Sequence, residues 1–104
     1  MSTTTLTKGI ELFRTLDAEM QAQQMLTFLL VAQRPGHSVK EYGDMVGLSE
    51  ASSSRNIAYW SKRHRHGRPG QDMVEATLDP MNYSRKLIHL NAKGRRFLAL
   101  LEGL

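Results

Sequence analysis

The sequence predicts a mainly α-helical domain closed by one small β-hairpin, on three observations. Apolar residues recur at helical spacing near both ends of the chain. Two short helical segments meet at Gly47-Leu48-Ser49, where a residue tolerant of positive φ, a core plug and a new cap follow one another. Two β-prone runs, Met73 to Leu78 and Lys86 to Leu90, flank a turn-rich stretch. At 104 residues, the chain is expected to form one domain (1–104) with a single modest core.

Leu6, Ile10 and Phe13 fall at i, i+4 and i+7 and predict an amphipathic helix ending near Leu16. Asp17 reads as the N-cap of a second helix running to about Gln33, with Ala22, Leu26, Leu29 and Leu30 on its buried side. Arg34-Pro35-Gly36 stops it. Ser38-Val39-Lys40-Glu41 has the capping-box form: the serine hydroxyl accepts from the Glu41 N–H, and the glutamate reaches back. The short helix it opens places Val39, Tyr42 and Val46 on one face. Gly43 lies inside that helix at a cost of about 1 kcal/mol relative to alanine, which predicts close packing against a neighbouring helix. Ser49 caps the next helix, from Glu50 to about Arg63, which buries Ile57 and Trp60. Two short helices joined by a tight glycine turn give a helix-turn-helix at about 38–63.

Arg63 to Gly70 reads as a basic loop, and the two strands form a wing at about 72–90 around Asp79-Pro80-Met81-Asn82-Tyr83-Ser84. Asn91 caps a last helix, about 92–103, in which Phe97, Leu100, Leu101 and Leu104 make an apolar stripe. Four helices, a hairpin and a helix, in that order, describe a winged helix-turn-helix domain with helices added at both ends.

Composition removes several function classes. Cysteine is absent, so neither a disulfide scaffold nor a thiolate metal site is possible. Met1 to Lys8 is polar and Thr-rich, unlike a secretory signal. The longest apolar stretch, Leu26 to Ala32, is interrupted by Thr27 and falls short of the roughly 20 residues of a membrane span. A cytoplasmic protein is expected. His37, His64, His66 and His89 lack carboxylate or cysteine partners at metal-site spacing, so no metal and no cofactor are expected. Gly67-Arg68-Pro69-Gly70 lacks the Lys-Ser/Thr ending of a phosphate loop, and no nucleophile elbow is present. Asp17 with Glu19, and Glu41 with Asp44, are accounted for by capping and solvation. The chain is not expected to be an enzyme.

Charge is distributed unevenly. Residues 1–49 carry four Lys/Arg against five Asp/Glu, whereas residues 50–104 carry ten against five. The positive excess therefore lies with the second half of the helix-turn-helix and the wing, where a nucleic-acid partner would meet it. A recognition helix brings its leading polar side chains to base edges in the major groove. Glu50, Ser52, Ser53, Arg55 and Asn56 are the candidates, with Ser49 and Ser54 near phosphates. Arg can pair bidentately with guanine and Asn with adenine, each for about 1–3 kcal/mol of discrimination; the same serines also read as an ordinary polar helix start. Tyr83, Arg85 and Lys86 at the wing tip can enter a minor groove or grip phosphate, or form a solvated hairpin end. Lys62, Arg63, Arg65 and Arg68 are phosphate or counterion partners that supply affinity rather than sequence choice. Trp60 is assigned to the core.

The order of elements resembles the MarR family of winged-helix regulators over roughly Met25 to Leu101. Gly47-Leu48-Ser49 and Ser54-Arg55 fit the family's turn and recognition helix, and Leu90-Asn91-Ala92-Lys93-Gly94 fits the end of its wing, with Asn in place of Thr. Asn82 and Ser84 stand where the family usually carries Asp and Arg, and the nearest arginine is Arg85. The resemblance implies a short, distant relative of the kind a phage or mobile element encodes, binding double-stranded DNA to regulate transcription. The apolar stripes Leu6, Ile10, Phe13 and Phe97, Leu100, Leu101, Leu104 are expected to build a homodimer interface. Such a dimer reads a pseudo-palindrome with half-sites about one helical turn apart. The alternatives are a winged-helix protein-interaction module and a replication or partition accessory protein.

Overall fold

The computed structural model describes residues 1–64 and 67–104. Among them, the order is α1 (Thr3–Leu16), α2 (Ala22–Gln33), α3 (Val39–Val46), α4 (Glu50–Trp60), β1 (Val74–Asp79), β2 (Asn82–Leu90) and α5 (Ala92–Glu102). Three helix starts follow directly from their caps. Ser38 and Glu41 form the reciprocal capping box of α3, Ser49 accepts from Ser52 N at the head of α4, and Asn91 accepts from Gly94 N at the head of α5. Gly47 ends α3 at φ 86°, in the left-handed region.

The core is a cluster of aromatic rings from four helices. Phe13 of α1, Phe28 of α2, Trp60 of α4 and Phe97 of α5 stack edge-on or tilted, with centroids 4.9 Å apart for Phe28–Trp60 and 5.4 Å for Phe13–Phe97. The buried indole N–H of Trp60 donates to the Gln24 carbonyl at 2.7 Å. Phe13 and Phe97 were expected at a subunit interface, but the aromatic cluster takes both into the interior.

The second helix departs from expectation at its start and on its buried face. It begins at Ala22 behind a box formed by Gln21 and Gln24. Asp17 instead closes α1, because its carboxylate accepts from Glu19 N at 2.9 Å and from the Tyr59 hydroxyl at 2.6 Å. Desolvation first, and that bond to Asp17 second, push the Tyr59 hydroxyl up to about 12. Thr27, Phe28 and Val31 are the buried residues of α2, while Ala22 and Leu26 face out.

The wing is longer than its sequence suggests. β1 and β2 pair antiparallel from Val74↔Leu90 to Leu78↔Lys86, and the chain reverses at Pro80-Met81 after a bulge between Leu78 and Asp79. Asn82 to Arg85 therefore belong to the strand rather than to the turn. A third edge is added by the α2–α3 loop, where Ile88 N donates to the His37 carbonyl at 2.8 Å and Gly36 N to Ile88 O at 2.9 Å. The buried Tyr42 hydroxyl braces this junction, donating to the Arg34 carbonyl at 2.5 Å. Gly94 explains the end of the wing motif, since a Cβ there would lie 2.1 Å from the Met73 carbonyl oxygen. Among the described residues, no helix is long and apolar enough to cross a membrane.

Candidate nucleic-acid interface

The recognition helix α4 has two unlike sides. Ser53, Asn56, Ile57 and Trp60, at helical spacing, point inward. Ala51, Ser54 and Arg55 are exposed and form the outward stripe, with Glu50 at its head. The seat of the helix is set by Gly43, where a Cβ would approach Ser53 Cβ to 2.9 Å and the Leu48 carbonyl to 3.2 Å. That small contact lets Ser53 Oγ donate to the Val39 carbonyl at 2.7 Å, tying α4 to the start of α3.

Two of the residues expected at base edges are thus turned inward. Ser53 is 2% exposed and spends its hydroxyl on α3, and Asn56 is 5% exposed. Neither reaches a major groove in this arrangement. The signal was present in the sequence: Ser53 and Asn56 share a helical face with Ile57 and Trp60. Asn56 Nδ2 has no hydrogen-bond partner among the described residues, a condition that costs about 1–3 kcal/mol for a buried donor.

Arg55 remains at the surface. Its guanidinium donates to Ser52 Oγ at 3.0 Å, and Ser52 Oγ in turn accepts from the Ser49 hydroxyl at 3.1 Å. This relay fixes the arginine against its own helix while leaving most of its donors open. Lys62, Arg63 and Arg68 follow α4 on the exposed basic loop, and with Arg55 they form no ion pair among the described residues. The loop is drawn back on itself by His64 N donating to Arg68 O at 2.6 Å and Gly70 N to Lys62 O at 3.1 Å. Arg65 lies outside the described residues.

The wing tip differs. Tyr83 is 74% exposed and Lys86 is exposed. Arg85 is half-buried, donating to Asp79 Oδ2 at 3.1 Å and to Glu41 of α3. It is therefore not the free cation that a groove or phosphate contact requires. Glu41 also accepts from Ser38 N at 2.9 Å. That backbone bond, with smaller help from the Ser38 hydroxyl, His37 and Arg85, holds its carboxyl down at about 2. The Met81 N–H, then Arg85, likewise holds Asp79 below the usual carboxylate range. Glu41 was read only as a capping residue, and its link to an arginine 44 positions later left no trace in local sequence. At the two positions where the family motif is altered, Asn82 Oδ1 accepts from Ser84 N at 3.1 Å and from Ser84 Oγ at 2.6 Å, which leaves that part of the tip neutral.

Away from this face, α1, α2 and α5 leave an open apolar groove of about 590 Å³. Leu6, Ile10, Leu26 and Leu104 line it as exposed side chains, and Leu101 is partly buried. Leu100 is 60% exposed but does not line the groove. Among the described residues, no three histidine or acidic side chains gather as metal ligands would.

A buried-backed helix following a capped glycine turn, with a two-stranded wing beside it, defines the winged helix-turn-helix class. No protein-family model matches the chain, and no curated protein matches its sequence. Solved structures do match its fold. The transcriptional repressor CouR, bound to a 23-mer DNA duplex, is 19% identical, with 94% of this chain and 65% of that chain covered and a TM-score of 0.68. A MarR-like transcriptional regulator from Thermotoga maritima is 16% identical over 83% of this chain and 55% of that one, with a TM-score of 0.67. Streptococcus pneumoniae FabT in complex with DNA is 12% identical over 81% of this chain and 53% of that one, with a TM-score of 0.66. The chain thus spans between half and two-thirds of these solved chains, and its fold is the one that MarR-like regulators adopt.

Proposed function

We propose that the chain is a sequence-specific, double-stranded-DNA-binding transcriptional regulator that works as a homodimer and not as an enzyme. The observation that carries this reading is the outward side of α4. Glu50, Ser54 and Arg55 stand on a helix whose opposite side is locked into the core, and exposed cations, with no ion pair among the described residues, continue along the adjacent loop. Arg55 reads a base edge, with Ser49, Ser52 and Ser54 close to the backbone. Lys62, Arg63, Arg65 and Arg68 supply salt-dependent affinity. Tyr83 and Lys86 extend the contact from the wing, whereas Arg85 holds the wing's position. The CouR and FabT structures, both solved with DNA, lend this reading their shared fold.

The second copy is proposed to seat on the apolar groove, covering Leu6, Ile10, Leu101 and Leu104 and extending to the exposed Leu100, since an exposed apolar patch of this kind marks an interaction surface. Two recognition helices then face half-sites about one helical turn apart. The test is selection of bound sequences from a random duplex pool at defined salt, with sedimentation of the free protein. A pseudo-palindromic consensus and a dimer are expected. A pool that returns no consensus, with affinity indifferent to salt, would overturn the reading.

A further inference from the structure

Beside the outward stripe of α4 lies an open cleft of about 430 Å³, reaching from the first turn of α2 to the basic loop. Gln23, Gln24, Arg55, Asn56, His64 and Arg68 line it, and no carboxylate does among the described residues. Three features of this lining agree on what it can hold. The two guanidiniums come from separate elements and pair with no carboxylate among the described residues. Asn56 is almost fully buried in the cleft wall with an amide nitrogen that lacks an acceptor. Gln24 Oε1 is already occupied by Gln21 N at 2.8 Å, which leaves its amide hydrogens as the free end. With Gln23 Nε2 donating to Gln21 Oε1 at 3.1 Å, the donors and cations that remain are the amide hydrogens of Gln24 and Asn56 and the two guanidiniums, and the first turn of α2 contains no acidic residue to oppose its positive dipole end.

We propose that this cleft is a phosphate-binding subsite. A carboxylate is planar and suits one arginine fork, whereas a phosphate presents oxygens in several directions to donors arriving from α2, α4 and the loop. The space also exceeds a bare ion and lies in the range of small-ligand sites, so the phosphate is one carried on a sugar or other small organic group. Two sources share this chemistry. A backbone phosphodiester next to the base pairs read by Arg55 is one, and that source rests on the proposed DNA binding. The other is a free phosphorylated small molecule, which would draw Arg55 out of the groove and so oppose DNA.

The experiment has two arms, each run on the full chain as wild type, Arg68→Gln and Arg96→Gln. Arg68 is exposed and makes no side-chain hydrogen bond or ion pair among the described residues, and Arg96 on α5 is the charge-matched control. In the first arm, inorganic phosphate is titrated against chloride at equal ionic strength and followed by amide NMR. Saturable shifts of the Asn56 side-chain amide and of Gln23 and Gln24 are expected, with the midpoint raised about tenfold by Arg68→Gln and unmoved by Arg96→Gln. In the second arm, Arg68→Gln lowers the slope of log K against log salt by about 1 while the preferred sequence stays the same. A lowered slope assigns the cleft to the DNA backbone; phosphate shifts with an unchanged slope assign it to a free phosphorylated molecule. Absence of both overturns the subsite, even if the wild type binds DNA well. Cleft shifts from a protein that binds no duplex would keep the subsite and overturn the DNA-binding reading alone.

Discussion

The recognition helix and the wing carry similar charge but are held in opposite ways. Helix α4 is seated by apolar and short hydrogen-bonded contacts: Ile57 and Trp60 in the core, and Ser53 on the Val39 carbonyl. Its arginine is left over for other work. The wing's apolar anchors are Val74, Ile88 and Leu90 at its base, while Leu78, Met81 and Tyr83 are exposed beyond them. Its outer half depends on Arg85 bridging Asp79 and Glu41. Equal arginines in the sequence are therefore unequal in the fold. A helix backed by a core keeps its geometry through changes of salt and pH, whereas a tip held by half-buried ion pairs is more open to both.

Variants can break this contrast at known points. The largest effect is expected from Trp60→Ala, which removes the fully buried ring behind α4 and should cost about 3–5 kcal/mol in denaturant unfolding. A loss of only a few tenths would mean that the helix is not core-backed. Gly43→Ala tests the seat itself. Its Cβ meets Ser53 Cβ and a backbone carbonyl, and an overpacking penalty of about 1–3 kcal/mol outweighs a helix-propensity gain of about 1 kcal/mol. A net loss of about 1 kcal/mol in the same assay is expected, and any gain in stability would refute the tight contact.

The α3 cap, and through its smaller Arg85 contact the wing, should answer to pH instead. Glu41 titrates near 2 in the folded protein against an ordinary 4.5, so its folded value is depressed. The stabilisation is then complete above about 4.5 and is lost as pH falls through about 2. Glu41→Gln should flatten that part of the acid unfolding profile and leave the profile near neutral pH with the same shape. Superimposable acid limbs would contradict the ionised Glu41 of the α3 capping box, to which Arg85 adds the smaller part.

Much of the fold is legible because local chemistry decides it. Ser38, Ser49 and Asn91 act as the caps that their spacing implies, and Gly43 packs as a small residue in mid-helix must. Errors arise where a distant partner overrides a local preference. Asp17 looks like a helix start, yet Tyr59, 42 positions away, shares its carboxylate and α2 begins later. Arg85 looks like a free wing cation, yet Glu41 and Asp79 hold it. Phe13 and Phe97 look like interface residues, yet rings from two other helices bury them. Ser53 and Asn56 are a different case, because helical periodicity alone places them beside Ile57 and Trp60. Their polarity, not their position, made them look like readers.

If α4 offers Arg55 to a base edge, as proposed, Arg55→Ala removes the reader and leaves the helix in place. Binding is measured on the selected duplex and on single-base variants of it at fixed salt, alongside thermal unfolding. Preference at one base position should fall by about 1–3 kcal/mol, with the unfolding temperature unchanged. Undiminished preference at every position, in a variant as stable as the parent, would contradict the account.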